Sequence, residues 1–409
     1  MSEVFARLLG QGAVEAELVA AASAARATRG NPARTPVPGG AMTHAWLFTG
    51  PPGSGRSVAA LSFAAALQCT STGVPGCGCC RACTTTVAGT HADVRRVVPE
   101  GLSIGVDEMR AVVSTASRRP ATGHWQIVIV EDADRLTEGA ANALLKIVEE
   151  PPPLTVFLLC APSVDPADVA VTLRSRCRHV PLVTPTAAAI ARVLVESDGV
   201  VESEALWAAA ASGGHVGRAR RLATDPEARA RRAGALNLAR DAANPRRAYA
   251  AAEELVAAAE AEARALTLGR DEAETDELRT ALGAGGTGKG TAGALRGAAG
   301  ALKDLEKRQK SRQTRASRDA LDRALIDLAA LFRDALMVAS AGSGGRVAAN
   351  HPDLVDRTSA LAAAASPESL LRCIEAVLAC RAALAANVKP KFAVHALVAA
   401  VGEALDRRG

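Results

Sequence analysis

Residues 50–57 read GPPGSGRS, that is Gly50, Pro51, Pro52, Gly53, Ser54, Gly55, Arg56 and Ser57. Glycines at this spacing let backbone N–H groups turn inward around a phosphate, and a following helix adds its own N-terminal N–H groups. The usual loop of this kind ends in Gly-Lys-Ser/Thr, its ammonium on the β- and γ-phosphates and its hydroxyl on Mg²⁺. Ser57 supplies the hydroxyl, but Arg56 stands where lysine is expected. A flat guanidinium keeps the charge and loses the compact shape. ATP binding with Mg²⁺ is therefore left open, and efficient hydrolysis is not expected.

Glu131 and Asp132 close the apolar run IVIV at 127–130, where an ATPase places its acidic pair. The usual order is Asp for the metal and then Glu for the attacking water; here it is reversed. A misplacement of about 1 Å at a reacting centre can cost a hundredfold in rate. The plain alternatives are a bare strand-to-helix turn and acids that merely end a strand.

Cys69, Cys77, Cys80 and Cys83 form a second group, spaced C-x7-C-x2-C-x2-C. Four thiolates at such spacing can close a tetrahedral Zn²⁺ site, and a site with four protein ligands is structural rather than catalytic. Cys79 is left over. His91 reads as a loop residue, and Cys160, Cys177, Cys373 and Cys380 as small buried apolar residues.

These residues need elements to hold them. A chain of 409 residues exceeds one hydrophobic core and calls for two or three domains. Only 2% of residues are aromatic, so Ala, Val and Leu must fill the interior and helices must pack closely. Residues 29–41 read as a surface loop. Apolar runs predict strands at 45–50, 94–99, 125–132 and 155–161, and helical spacing covers 57–69, 104–119 and 137–150. Strands alternating with helices make a parallel sheet covered on both faces. Past residue 184 only helices are expected, in a small domain (184–240) broken at 212–214 and a larger one (241–409).

The glycine-rich stretch 282–300 reads as a linker. Its GAGGTGKG (283–290) imitates a phosphate loop, but no strand precedes it and Gly290 replaces the hydroxyl residue. The run 303–318 carries Lys303, Lys307, Arg308, Lys310, Arg312, Arg315 and Arg318 against Asp304 and Glu306. Lacking interleaved aromatics, it reads as a solvated helix face rather than a nucleic-acid surface. The net charge of +5 permits contact with nucleic acid without demanding it. The N-terminus lacks the pattern of a targeting segment, and no apolar stretch is long enough to span a bilayer, so a cytoplasmic protein is expected.

TEGAANALLKIVEEPP (137–152) followed by TLRSRCR (172–178) resembles the AAA+ clamp-loader family of DNA replication. The resemblance implies a RecA-like α/β AAA+ domain over 1–183 with a zinc-bearing insertion at 69–83. It further implies a helical lid at 184–240 and an all-α collar at 241–409. Ser175, Arg176 and Cys177 match the family's S-R-C motif, which makes Arg176 an arginine finger for a neighbouring subunit's ATP, worth ~10³–10⁵ in rate. The family's first sensor would fall near Pro162 and Ser163, and Arg218 would be the second. The implied partners are gamma/tau and delta subunits in a hetero-pentamer, the sliding clamp and primed DNA.

A damaged nucleotide site beside an intact finger suits a subunit that acts in trans. Two rivals stay open. One is a working ATPase, gamma/tau-like or a self-sufficient remodelling enzyme, in which Glu131 and Asp132 function. The other is a zinc-dependent nucleic-acid-binding module.

Overall fold

The computed structural model describes residues 2–27, 41–282, 291–340 and 349–406. Two compact units are present, Met1–Gly199 with Gly214–Arg218, and Val200–Gly213 with Ala219–Gly409. The first holds strands β1 (Ala45–Thr49), β2 (Val94–Val97), β3 (Gln126–Val130), β4 (Thr155–Ala161) and β5 (Arg178–Pro181). Its helices are α1 (Gly12–Ala27), α2 (Arg56–Gln68), α3 (Arg81–Val87), α4 (Val106–Ala116), α5 (Glu138–Glu149), α6 (Val171–Arg174) and α7 (Ala187–Asp198). The strands form one parallel sheet in the order β2-β3-β4-β1-β5.

The alternation of side chains along a strand explains the layers. Trp46, Phe48, Ile127, Ile129, Val156 and Leu158 point into a core shared with Leu18 of α1 and Phe63 of α2. Their neighbours Leu47, Val128, Val130, Phe157 and Leu159 point the other way, onto Met109 of α4 and Leu144 of α5. Both faces are covered, so β1, β3 and β4 are buried at every position. Thr137 caps α5 by accepting the Ala140 N–H at 3.3 Å, and Pro151 follows two residues after its end, where the ring disfavours further helix.

The fifth strand was not expected from sequence. It is four residues long at the sheet edge, with only Val180 buried. Arg178 fixes it by lying 5.0 Å over the Trp46 ring and pairing with Glu17 at 2.7 Å.

Asp93, just before β2, ties down the turn that feeds β3. It is 3% exposed and accepts N–H groups from Ala121 (2.6 Å), Thr122 (2.8 Å) and Gly123 (2.5 Å). Burial pushes its carboxyl up, but those backbone donors outweigh burial and hold it below the ordinary value. A carboxylate depressed in the folded state stabilises above its unfolded value and loses that contribution as pH falls through the folded one. Asp93→Ala is expected to cost about 3 kcal/mol at pH 7, since buried donors lose their acceptor. Urea melts of both proteins should show the difference shrinking as pH falls below about 4.

The second unit contains α8 (Glu202–Ala211), most of α9 (Val216–Thr224), then α10 (Pro226–Ala242), α11 (Pro245–Ala281) and α12 (Thr291–Ser340). It ends with α13 (Val355–Ala364), α14 (Pro367–Ala385) and α15 (Pro390–Asp406). Ala, Leu and Val from α10, α11, α12, α14 and α15 make its core around Phe332. Asp225, Asn244 and Ser366 cap α10, α11 and α14 through side-chain oxygens, each followed by proline in the first turn.

Within the linker expected at 282–300, the residues from 291 on are helical, because α12 already begins at Thr291. The phosphate-loop imitation at 283–290 lies outside the described residues, as does most of the expected loop 29–41. No helix among the described residues is long and apolar enough to cross a membrane.

Candidate nucleotide and metal sites

The Gly50–Ser57 loop sits where β1 leaves the sheet at its C-terminal edge and α2 begins. The Gly50 N–H donates to the Pro162 carbonyl at 3.2 Å and the Ser54 N–H to Pro51 at 3.0 Å, which fixes the turn. Gly53 and Gly55 have φ of +90° and +94°, conformations that glycine alone adopts without strain. No side chain caps α2, so its first N–H groups are not occupied by a capping side chain.

Arg56 does not extend as a lysine would. Its guanidinium turns back and donates to the Gly50 carbonyl at 2.8 Å. Nor are the two acids equivalent. Glu131 accepts from Arg96 of β2 through Nε at 3.0 Å and Nη2 at 2.5 Å. Asp132 has a left-handed backbone, φ +54°, and opens the short turn Ala133–Arg135. Cys160, in β4 opposite Phe48, is pushed up by burial and next by the Glu131 charge, while Arg56, Asp132 and Arg96 also act on it. These charges thus gather at the C-terminal edge of the sheet. Asp134 is raised by burial and by Asp132, with Arg56 opposing.

Arg218 is placed by the first turn of α9. Immediately ahead of that helix, His215 packs directly on the loop: a methyl group at Gly53 would lie 2.5 Å from His215 Cα. His215 Nδ1 also receives the Arg218 N–H at 3.2 Å. Position 218 and the phosphate loop are therefore brought into one neighbourhood. Ser163 is used locally, donating to Asp168 at 2.7 Å and receiving the Asp165 N–H at 2.9 Å.

Arg176 lies elsewhere. It follows α6, exposed, and pairs with Glu149 at the end of α5 at 2.7 Å. Strand register locates it. Trp46 pairs with Arg178 and Thr49 with Pro181, so Arg176 precedes the first paired residue of β5 while the loop follows the last of β1. Three residues of strand rise about 10 Å, which sets the two at opposite edges of the sheet. His44, ahead of β1, contacts the Val148 carbonyl at 2.8 Å and anchors the end of α5 at the same N-terminal edge.

The four cysteines come together. The Sγ atoms of Cys69, Cys77, Cys80 and Cys83 all lie within 4.8 Å of one another. Cys69 and Cys77 are 3.8 Å apart, too far for an S–S bond of about 2.05 Å. A tetrahedral site with metal–sulfur bonds near 2.3 Å has edges of about 3.8 Å, so the set fits one. Backbone donors favour thiolate at Cys69 and Cys80, whereas burial and the neighbouring thiols hold Cys83 up and Cys77 is also raised. Cys77 Sγ receives the Cys80 N–H at 3.3 Å and Cys80 Sγ the Cys83 N–H at 3.5 Å, as α3 starts. Burial pushes the Cys80 thiol up, but N–H groups of Thr70 and Cys83 bring it down to about 6. Cys79 is exposed, and His91 receives the Asp93 N–H at 3.1 Å outside the cluster. Cys160, Cys373 and Cys380 are buried as expected, and Cys177 half-buried.

What sequence reasoning missed are the partners: Arg96 for Glu131, His215 for Gly53 and Glu149 for Arg176. None has a motif of its own. Only Glu149, inside the family-like stretch 137–152, carried any signal.

Residues 34–186 match the family described as DNA polymerase III, delta subunit. Among relatives, the chain is 35% identical over 157 residues to DNA polymerase III subunit delta' of Bacillus subtilis, covering 38% of this chain and 47% of that one. It is 38% identical over 186 residues to subunit delta' of Pseudomonas aeruginosa, covering 44% and 55%. Subunit gamma/tau of Mycobacterium tuberculosis is 33% identical over 209 residues, 50% of this chain and 33% of that one. The chain spans about half the length of the delta' relatives it matches. A gamma-subunit-related protein from Thermotoga maritima is a structural neighbour at 17% identity and a TM-score of 0.36, covering 88% of this chain and 93% of that one. The expected resemblance to replication subunits is borne out as a similarity to DNA polymerase III subunits, carried over residues 34–186 by the family match, and the parallel sheet followed by a helical C-terminal region is as expected.

Proposed function

We propose that this chain is a delta-prime-type subunit of a DNA polymerase III clamp loader, a cytoplasmic component of the replication machinery. Its α/β unit acts as the AAA+ domain (1–183), followed by a lid (184–240) and a collar (241–409) that joins gamma/tau and delta subunits in a hetero-pentamer. Within it the chain helps place the sliding clamp on primed DNA. One observation carries the reading: Arg176 sits at the sheet edge opposite its own phosphate loop. A finger there cannot reach ATP held by Gly50–Ser57 of the same chain, but it is exposed to a neighbour. In this reading Arg176 stabilises the phosphoryl group transferred on an adjacent gamma/tau subunit.

The loop's own chemistry is disabled twice. Arg56 is spent on the Gly50 carbonyl and Glu131 on Arg96. Any ATP bound there, with Mg²⁺ on Ser57 and Arg218 near the phosphates, turns over weakly or not at all. The Cys69, Cys77, Cys80 and Cys83 set holds a structural Zn²⁺.

The reading is tested first on the isolated chain. ATP hydrolysis is expected to be negligible, and Arg56→Lys alone should not restore it because the Glu131–Asp132 order is unchanged. Turnover above about 1 s⁻¹, the low end for ordinary enzymes, and lost in Ser57→Ala, would make the chain a motor and overturn the proposal.

A further inference from the structure

We propose that a cleft between α11, α12 and the start of α15 binds the phosphate backbone of a nucleic-acid strand. The cleft encloses about 290 Å³ and is lined by Glu260 and Arg264 of α11, Lys310, Thr314 and Arg318 of α12, and Pro390 of α15. Its volume is at the lower end for small-molecule sites, which suits a phosphate with part of its sugar.

Helical spacing puts the cations and hydroxyls in one row. Lys310, Thr314 and Arg318 recur every four residues on α12, and Glu260 and Arg264 do so on α11, so each set shares a face. Three cations meet a single carboxylate.

Arg318 is the telling member. It donates through Nη1 to the Leu384 carbonyl at 2.8 Å and through Nη2 to Asn387 Oδ1 at 2.6 Å. Both acceptors are neutral, and Nε is buried with no partner. Among the described residues it has no acidic partner, and burial disfavours its charge. A partly desolvated cation fixed without a counter-charge is costly unless an anion completes it. Other arginines of the same run are answered within the protein: Arg312 by Asp271 and Glu274 at 2.6 and 3.0 Å, Arg315 by Asp319 at 3.6 Å. Part of the run is thus internal glue, and the part that opens on the cleft faces a pocket.

Phosphate is the anion that this set recognises, since an arginine, a lysine and a hydroxyl offer several directed donors to its oxygens. The long basic helix continuing past the cleft favours a strand over a free ion, because successive phosphates can follow it. The inference draws on nothing in the nucleotide loop and stands apart from the clamp-loader reading.

The full chain is tested with a fluorescent single-stranded oligonucleotide over a salt series. The Arg264→Gln, Lys310→Gln double variant is compared with Lys303→Gln, Lys307→Gln, which removes equal charge from α12 outside the cleft lining. Arg318 is left in place because it also holds Leu384. The cleft variant should bind roughly tenfold more weakly at low salt, with the slope of log K against log salt shallower by about 0.7 for each phosphate no longer neutralised. The control pair should lose much less. Equal losses in the two doubles, or none in either, overturn the proposal. So does a cleft that serves only free phosphate, recognised if inorganic phosphate raises the melting temperature of the wild type but not of the cleft variant while oligonucleotide affinity is unchanged.

Discussion

Replacing Arg176 by alanine should leave the chain folded, able to join its complex, and deficient in a reaction carried out on another subunit. The side chain is exposed and its pair with Glu149 is a surface one, so little stability is at stake. At the site that the finger serves, loss of the guanidinium is expected to slow phosphoryl transfer by ~10³ or more. In the proposed complex, DNA-stimulated ATPase should fall only partially, because sites without this finger would continue to turn over. Arg176→Lys should not rescue it, since a point-like ammonium lacks the planar fork. The measurement is steady-state hydrolysis and clamp loading by two rebuilt complexes at equal stoichiometry. Identical rates would reduce Arg176 to a surface residue. Glu149→Gln is a useful companion: it frees the arginine without removing it, and activity should persist.

Metal analysis should find one zinc ion per chain, lost in Cys69→Ser or Cys80→Ser and retained in Cys79→Ser. The expected effect is large because apparent binding energies of structural zinc sites run about 10–16 kcal/mol in small peptides at neutral pH. Chelation should raise amide exchange through the segment from Cys69 to α3, while β1, β3 and β4 stay protected by the two cores on their faces. Unchanged occupancy in Cys80→Ser would remove the cluster from the metal-site class.

Sequence patterning made the central sheet legible because β1, β3 and β4 are buried on both sides and read as unbroken apolar runs. The strand β5 was not, since RHVP is only four residues long, ends in proline and buries Val180 alone at the sheet edge, so it carries neither an apolar run nor an alternating pattern. The start of α12 was obscured for a different reason. Glycine lowers helix propensity by about 1 kcal/mol per residue, and Gly293, Gly297 and Gly300 suggested a linker where the chain is helical from Thr291. The candidate site divided along similar lines. Loop and cysteines were readable because their chemistry needs fixed spacing along the chain. The pairing of Glu131 with Arg96 was not, because the register of β2 on β3 brings together residues 35 apart, and spacing along the chain says nothing of register.

The start of the chain is fastened to the cysteine loop. Ser2 Oγ donates to the Pro75 carbonyl at 2.8 Å across 73 residues, and the Val4 N–H to Gly76 at 3.2 Å. Gly76 and Gly78 admit this segment closely, with no room for a side chain against Ser2 or Glu3. During synthesis at about 5–20 residues per second, Val4, Phe5 and Leu8 emerge roughly 4–15 s before their docking surface exists. For that interval the growing polypeptide displays a short greasy segment that stays uncovered until the core and the cysteine loop are complete. If the loop holds the proposed zinc, a shortage of the metal should be felt first as a nascent-chain problem, open to chaperones and proteases, before any fault in the finished molecule could be measured.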